Sequence, residues 1–203
     1  MKKLGYSILL CISLSHLLPK IYAQDEIQDS SHFQAVTDAM LSNPPEEHWL
    51  MWRRTQNGWG YSPLNEINRT NVEKLRMVWT RALTNGSQTG TPLAYDGVLY
   101  MPNPNDVIQA LNSETGELIW ENRREIPDSA RESLGFLSSN NRNIAIWGNL
   151  IIDTSVDDHI FALNAETGKQ VWETMVLDYK THPAIQGAGP IVGNGKVFSG
   201  RSC

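Results

Sequence analysis

One twelve-residue segment occurs twice in this chain of 203 residues, and the repeat constrains the fold more than any other feature. Residues 110–121 read ALNSETGELIWE and residues 162–173 read ALNAETGKQVWE, so eight of the twelve positions are identical at a spacing of 52. A short apolar hairpin with a turn signal precedes each copy, at Asp96-Gly97 and at Trp147-Gly148. A third hairpin begins at Asn194-Gly195. Strand-rich repeats of about 50 residues are typical of β-propeller blades.

The repeat predicts an all-β chain that forms a partial β-propeller, with two full blade repeats and the start of a third. A blade is a small sheet that must stack on its neighbours, so Trp120 and Trp172 are expected to be buried between blades. One more strand is expected near residues 78–79. The alternative, two chance hairpins in a β-sandwich, is disfavoured by the eight identities. Since a propeller closes with four to eight blades, the chain is expected to be an N-terminal fragment.

The N-terminal residues have the layout of a secretory signal peptide. Lys2 and Lys3 precede an apolar stretch over residues 8–14, and Ala23 ends a weak cleavage site. A transmembrane anchor is the alternative, but the apolar stretch is shorter than the 20 or so residues that a span needs. We therefore expect a signal peptide at 1–23, a polar lead-in at 24–45 and the N-terminal part of the propeller at 46–203. The mature protein is expected to be periplasmic or secreted.

The net charge and the spacing of the histidines argue against nucleic-acid binding and against a metal site in these residues. The net charge is −5 and no basic run is present, so nucleic acid is not an expected partner. His48, His159 and His182 do not have the spacing of metal ligands, so no metal site is expected within these residues. After removal of the leader, Cys203 is the lone cysteine, which suggests a thiol whose partner lies elsewhere or a small buried residue.

Residues 162–172 resemble the tryptophan-docking motif of the alcohol dehydrogenases that depend on pyrroloquinoline quinone (PQQ). Residues 61–68 (YSPLNEIN) and 72–79 (VEKLRMVW) resemble the N-terminal signature of this quinoprotein family, and residues 91–100 (TPLAYDGVLY) resemble its first full blade. The resemblance covers residues 46–203. It implies an eight-bladed propeller with PQQ in the central funnel beside a calcium ion.

The function implied by the resemblance is oxidation of an alcohol or aldose by hydride transfer to the quinone. The catalytic Asp and the calcium ligands are expected beyond residue 203. Two cofactor-binding residues are expected in the chain itself: Arg142, matching the arginine that touches the quinone oxygens, and Ser202, matching a serine that contacts the cofactor. The expected partners are the small alcohol or sugar and an electron acceptor such as a cytochrome c or a membrane quinone.

Three positions depart from the pattern of the family. Thr89 stands where a glutamate is expected, residues 136–139 (FLSS) lack the adjacent cysteine pair, and Gly187 replaces a threonine. These departures favour an alternative function, a non-enzymatic propeller that acts as a scaffold in outer-membrane protein assembly. The tryptophan-rich segment before Tyr61 favours the dehydrogenase.

Overall fold

The computed structural model describes residues 33–134, 140–182 and 188–201. The expected signal peptide, Ser202, Cys203, Gly187 and the segment 136–139 lie outside the described residues. Within them, ten strands form two four-stranded sheets and one hairpin. The strands are β1 Leu93–Tyr95, β2 Val98–Asn103, β3 Val107–Asn112, β4 Leu118–Arg123, β5 Ala145–Trp147, β6 Leu150–Thr154, β7 His159–Asn164, β8 Gln170–Met175, β9 Ile191–Gly193 and β10 Lys196–Phe198.

Each four-stranded sheet is an antiparallel meander in which sequential strands pair, in the orders β1-β2-β3-β4 and β5-β6-β7-β8. The two sheets share an irregularity, because the register between the third and fourth strands shifts after Ala110 in one and after Ala162 in the other. The third unit is present as the β9–β10 hairpin. Two complete blades and the start of a third confirm the predicted partial propeller.

The turn between the first two strands has positive φ at both positions in the first and third units, whereas in the second unit Gly148 has it and Asn149 does not. Asp96 and Gly97 have φ values of 48° and 74°, and Asn194 and Gly195 have 51° and 68°. A two-residue turn with positive φ at both positions follows the right-handed twist of the flanking strands. Asn and Asp tolerate this region and Gly adopts it without steric cost, so these short sequences specify the hairpins.

Tryptophan side chains connect each sheet to the next. Trp120 on β4 is 8% exposed, and its indole Nε1 donates to the carbonyl of Ala165, in the turn between β7 and β8, at 2.8 Å. Its ring lies against Gly168, where an added Cβ atom would come within 2.5 Å of the ring. The docking prediction is therefore confirmed for Trp120. Trp172 is only partly buried, and the described residues include no third copy of the turn on which it would dock.

Trp79, which precedes the first sheet in the sequence, makes the same kind of contact with the turn between β3 and β4. Its Nε1 donates to the carbonyl of Ser113 at 3.0 Å, and a Cβ atom on Gly116 would come within 2.6 Å of its ring. The strand predicted at residues 78–79 was wrong, since the structure has no strand there and Val78 is 82% exposed. A strand needs a hydrogen-bonded neighbour, and no described residue pairs with this segment.

The N-terminal residues that are described also contribute to the core. The short helix α1 (Asp38–Ser42) is capped by Thr37, whose side chain accepts from the amide of Met40. Val36 and Leu41 are buried with the strands of both sheets. A second short helix, α2 (Asp128–Leu134), follows β4, and a 3-10 turn spans Val72–Lys74. Within the described ranges, no helix is long and apolar enough to cross a membrane.

Candidate functional site

The first strands of the three units are preceded by short segments, residues 89–91, 141–143 and 188–190, that lie side by side. Thr91 pairs with Asn143 in a parallel bridge, and the Thr91 amide donates to the carbonyl of Arg142 at 2.6 Å. The side-chain amide of Asn143 donates to the carbonyl of Ala188 at 2.6 Å. A Cβ atom at residue 189 would lie 2.1 Å from the Asn143 carbonyl oxygen, so this close approach requires Gly189. Consecutive units therefore contact each other here.

A cavity of about 740 Å³ opens beside these segments. Its apolar wall contains Trp52, Ile191 and Phe198, whose side chains are about half exposed. Its polar wall contains the residues Thr89, Thr91, Arg142, Asn143 and Ser199. An aromatic and aliphatic wall opposite a few polar groups is the usual composition of a small-molecule site.

Arg142 has a fixed backbone and an exposed side chain. The Thr91 amide holds its carbonyl, but no group among the described residues accepts a hydrogen bond from its guanidinium. A guanidinium offers five N–H donors in a rigid plane, a geometry that suits oxygen pairs on a planar anion. The residue is therefore well suited to bind a negatively charged ligand in the cavity.

A buried hydrogen bond between Asn141 and Asp153 holds the segment 141–143 against β6. Asp153 on β6 is fully buried, and its carboxylate accepts from the Asn141 side-chain amide at 2.6 Å and from the Thr154 backbone amide at 2.7 Å. Burial and, second, the charge of Asp106 raise the pKa of Asp153 well above its ordinary value. The carbonyl of Asn141 also accepts from the Thr89 hydroxyl at 3.2 Å.

Asp106 belongs to a larger buried cluster between the turns that follow β2 and β6. Burial is the main cause that raises the pKa of Asp106 to about 6, against the opposing effects of the Ser155 hydroxyl and the Arg124 guanidinium. Arg124 donates to both Ser155 and Asp157 at 2.9 Å. Most of these groups satisfy one another, and no group of three or more His, Cys, Asp or Glu in the described ranges could hold a metal ion.

The structure places the predicted site residues as follows. Arg142 lines the cavity, together with Thr89, which stands where the family pattern has a glutamate. Ser202 lies outside the described residues, although Ser199 and Gly200 just before it reach the cavity wall. Both cofactor roles remain predictions. The sequence reasoning missed Trp52 and Phe198 as wall residues and missed the support from Asp153. The cluster of tryptophans before residue 60 was a usable signal for Trp52.

Comparisons with known proteins agree with this architecture. The family model described as the β-propeller domain of glucose, ethanol and alcohol dehydrogenases (PQQ) matches residues 49–173. The quinoprotein alcohol dehydrogenase PedH of Pseudomonas putida is 32% identical over 179 residues, which cover 84% of this chain and 29% of that protein. Methanol dehydrogenase (cytochrome c) subunit 1 of Methylobacterium organophilum is 32% identical over 167 residues, covering 77% of this chain and 26% of that protein.

A solved structure shows the same fold. The quinohemoprotein alcohol dehydrogenase ADHIIG of Pseudomonas putida HK5 superimposes with a TM-score of 0.73 and 28% sequence identity. The match covers 83% of this chain and 25% of that one. The chain therefore spans between a quarter and three tenths of the length of these relatives.

Proposed function

Since the chain belongs to the β-propeller family of PQQ-dependent glucose, ethanol and alcohol dehydrogenases, we propose that it forms the first blades of a quinoprotein that oxidises an alcohol or aldose. The observation that carries this proposal is the cavity between consecutive units, which Arg142 lines. In this proposal, residues beyond the described blades complete the propeller and supply the catalytic base.

The residues of the cavity fit PQQ, a planar quinone that carries carboxylates. Trp52 and Phe198 offer aromatic surface to a flat ring system, and Arg142 offers a cation that no described residue neutralises. The hydroxyls of Thr89 and Ser199 also reach the cavity wall. The glutamate of the family pattern is absent at Thr89, so fewer negative charges surround an anionic ligand in this protein.

Bound PQQ would supply the two-electron acceptor for oxidation of the alcohol to a carbonyl compound. The role of Arg142 would be electrostatic, because reduction would place negative charge on the oxygens of a bound quinone. A positioned guanidinium stabilises that charge without the reorganisation that water needs. The backbone contact of Arg142 with Thr91 fixes the point in the loop from which the side chain extends.

Three further properties belong to the same proposal. A calcium ion beside the quinone would take its ligands from residues that follow position 203. The electron acceptor would be a cytochrome c or a membrane quinone, and the name of the methanol dehydrogenase relative, which includes cytochrome c, favours the first. The leader-like residues 1–23 support a periplasmic or secreted location.

The test is reconstitution of the whole apoprotein with PQQ and calcium, followed by absorbance spectra and dye-linked alcohol oxidation. Arg142→Ala should lower the rate by about 100-fold or more, as expected for loss of one positioned charge-stabilising group. Arg142→Lys should recover only part of the rate, because an ammonium lacks the planar fork. Arg123→Ala is the matched control, since the side chain of Arg123 is exposed at the end of β4 and pairs with Glu121.

Two results would contradict the proposal at different levels. If PQQ causes no spectral change and no alcohol or aldose is oxidised, the dehydrogenase function fails and the scaffold function replaces it. If PQQ binds but the Arg142→Ala protein is as active as the parent, the family function stands and the role assigned to Arg142 is wrong.

A further inference from the structure

Asp153 is an unusual residue for its position in the sheet. It lies on β6 beside the buried Ile152, is fully buried itself, and carries a carboxyl group that burial makes costly to ionise. The repeat spacing of 52 puts Met101 at the equivalent position of the first sheet. The blade architecture therefore does not require a carboxylate there, and the reason for it must be specific to the second unit.

The partner of Asp153 shows the same difference between the units. Asp153 accepts from Asn141, and the equivalent of Asn141 in the first unit is Thr89, which cannot present a side-chain amide. The next residue is Arg142 in the second unit and Gly90 in the first. The buried Asn141–Asp153 pair thus occurs in the second unit, which carries Arg142, and Asn141 directly precedes that arginine.

Three hydrogen bonds hold the loop that contains Asn141 and Arg142. Asp153 holds the side chain of Asn141, the Thr89 hydroxyl holds the Asn141 carbonyl, and the Thr91 amide holds the Arg142 carbonyl. The last two contacts come from the first unit, so Asp153 is the contact that ties the loop to its own sheet. Only the side chain of Arg142 remains to adapt to a ligand.

We infer that Asp153 is a positioning residue for the cofactor site, which holds Asn141 so that Arg142 presents its guanidinium to the quinone. This inference rests on the proposed function. The neighbouring charges are those of Asp106, which faces Asp153, and of Arg124, Asp157 and Arg131, which act on Asp106. Since an amide can donate to a carboxylate or accept from a carboxylic acid, the pair can bond in either protonation state.

The experiment measures PQQ affinity of the whole apoprotein by quenching of tryptophan fluorescence in a double-mutant cycle. Asp153→Leu removes the acceptor and should weaken PQQ binding by roughly tenfold or more. In the Arg142→Ala background, the same substitution should change the affinity by less than about twofold, because the group on which it acts is gone. Asp153→Asn keeps one acceptor for Asn141 and should retain most of the affinity. Met101→Leu, at the equivalent position of the first sheet, is the control and should change nothing.

Several outcomes would overturn the inference. If Asp153→Leu weakens binding equally in both backgrounds, Asp153 is only structural, and if it has no effect in either, it positions nothing. Thermal melting checks that the variants are folded. If Asp153→Leu does not fold, the double substitution with Asn141→Leu, which also removes the side-chain amide that would lose its acceptor, replaces it in both backgrounds. A parent protein that does not bind PQQ instead refutes the proposed function, which separates the two failures.

Discussion

At the scale of single residues, the buried carboxyl of Asp106 makes a measurable prediction about stability and pH. Burial raises its pKa from 3.8 to about 6, so the folded state prefers the protonated acid. A folded state that binds the proton more tightly than the unfolded state loses stability as pH rises from about 4 to about 6. The shift corresponds to about 3 kcal/mol of unfolding free energy above that window.

Asp106→Asn should remove this loss, because the amide remains neutral at every pH. The variant should gain about 3 kcal/mol relative to the parent between pH 4 and pH 7.5. Denaturant unfolding of the whole protein at these two pH values measures the difference. Asp96→Asn, which alters an exposed carboxylate in a turn, is the control. A gain that is equal at both pH values would show that Asp106 does not carry the raised pKa.

The residues of the cavity were only partly accessible from the sequence. Arg142 could be named because it lies in a stretch that resembles a known family. Asn141 and Asp153 could not, since they are twelve positions apart, match no motif, and meet only when β5 and β6 have paired. The contribution of Trp52 and Phe198 to one wall also depends on tertiary packing, which local sequence patterns do not reveal.

At the scale of the elements, the tryptophan contact between sheets can be tested with two glycines. Gly168 and Gly97 both have positive φ, so an alanine at either should cost about 1 kcal/mol of stability. At Gly168 the added Cβ would also collide with the Trp120 ring, whereas nothing lies within 4 Å at Gly97. Gly168→Ala should therefore cost about 1–3 kcal/mol more than Gly97→Ala.

Denaturant unfolding of the two variants in the whole protein measures that excess. Equal losses at the two glycines would mean that Trp120 does not press on the turn between β7 and β8. Gly97→Ala introduces the same backbone strain, but no ring lies near its added Cβ. The difference in unfolding free energy between the two variants therefore measures the collision with Trp120. The same design applies one sheet earlier, where Gly116 meets Trp79.

The sequence predicted best those elements whose conformation is determined by their own residues. Asp96-Gly97 and Asn194-Gly195 specify their turns through their own backbone preferences, and both hairpins formed where expected. The strand expected at residues 78–79 depended instead on a pairing partner, which local signals cannot supply. Trp79 nevertheless docks like Trp120, because that contact requires only the indole ring and a glycine turn.

At the scale of the molecule, many large apolar side chains of the described residues are exposed. Met77, Val171, Met175 and Phe198 are among the large side chains left exposed. A polypeptide of residues 1–203 produced alone should therefore melt broadly and bind a dye for exposed apolar surface, since uncovered sheets need stacked neighbours. Circular dichroism during heating measures this. A sharp, cooperative transition from a monomer would contradict the prediction.

The number of blades and the substrate follow from neither the sequence nor these sheets. The twelve-residue repeat shows that the units are equivalent, and each docked tryptophan defines one step from a sheet to the next. The number of blades in a closed propeller depends on the angle between neighbouring sheets, and the identity of the docking side chains alone does not set that angle. The substrate would be selected by surfaces opposite the cavity wall that these residues form.

The docking of Trp79 has a consequence for self-association. Contacts in which a tryptophan of one sheet enters a turn of the next are head-to-tail, and head-to-tail contacts that do not close can run on into fibres. Trp172 presents such a ring at one end of the described sheets, and the Ser113–Gly116 turn is the matching receptor at the other. Trp79 already occupies that receptor. If residues 1–203 were produced alone, a second copy would find no vacant receptor for its own Trp172, because Trp79 fills the Ser113–Gly116 turn of the same polypeptide.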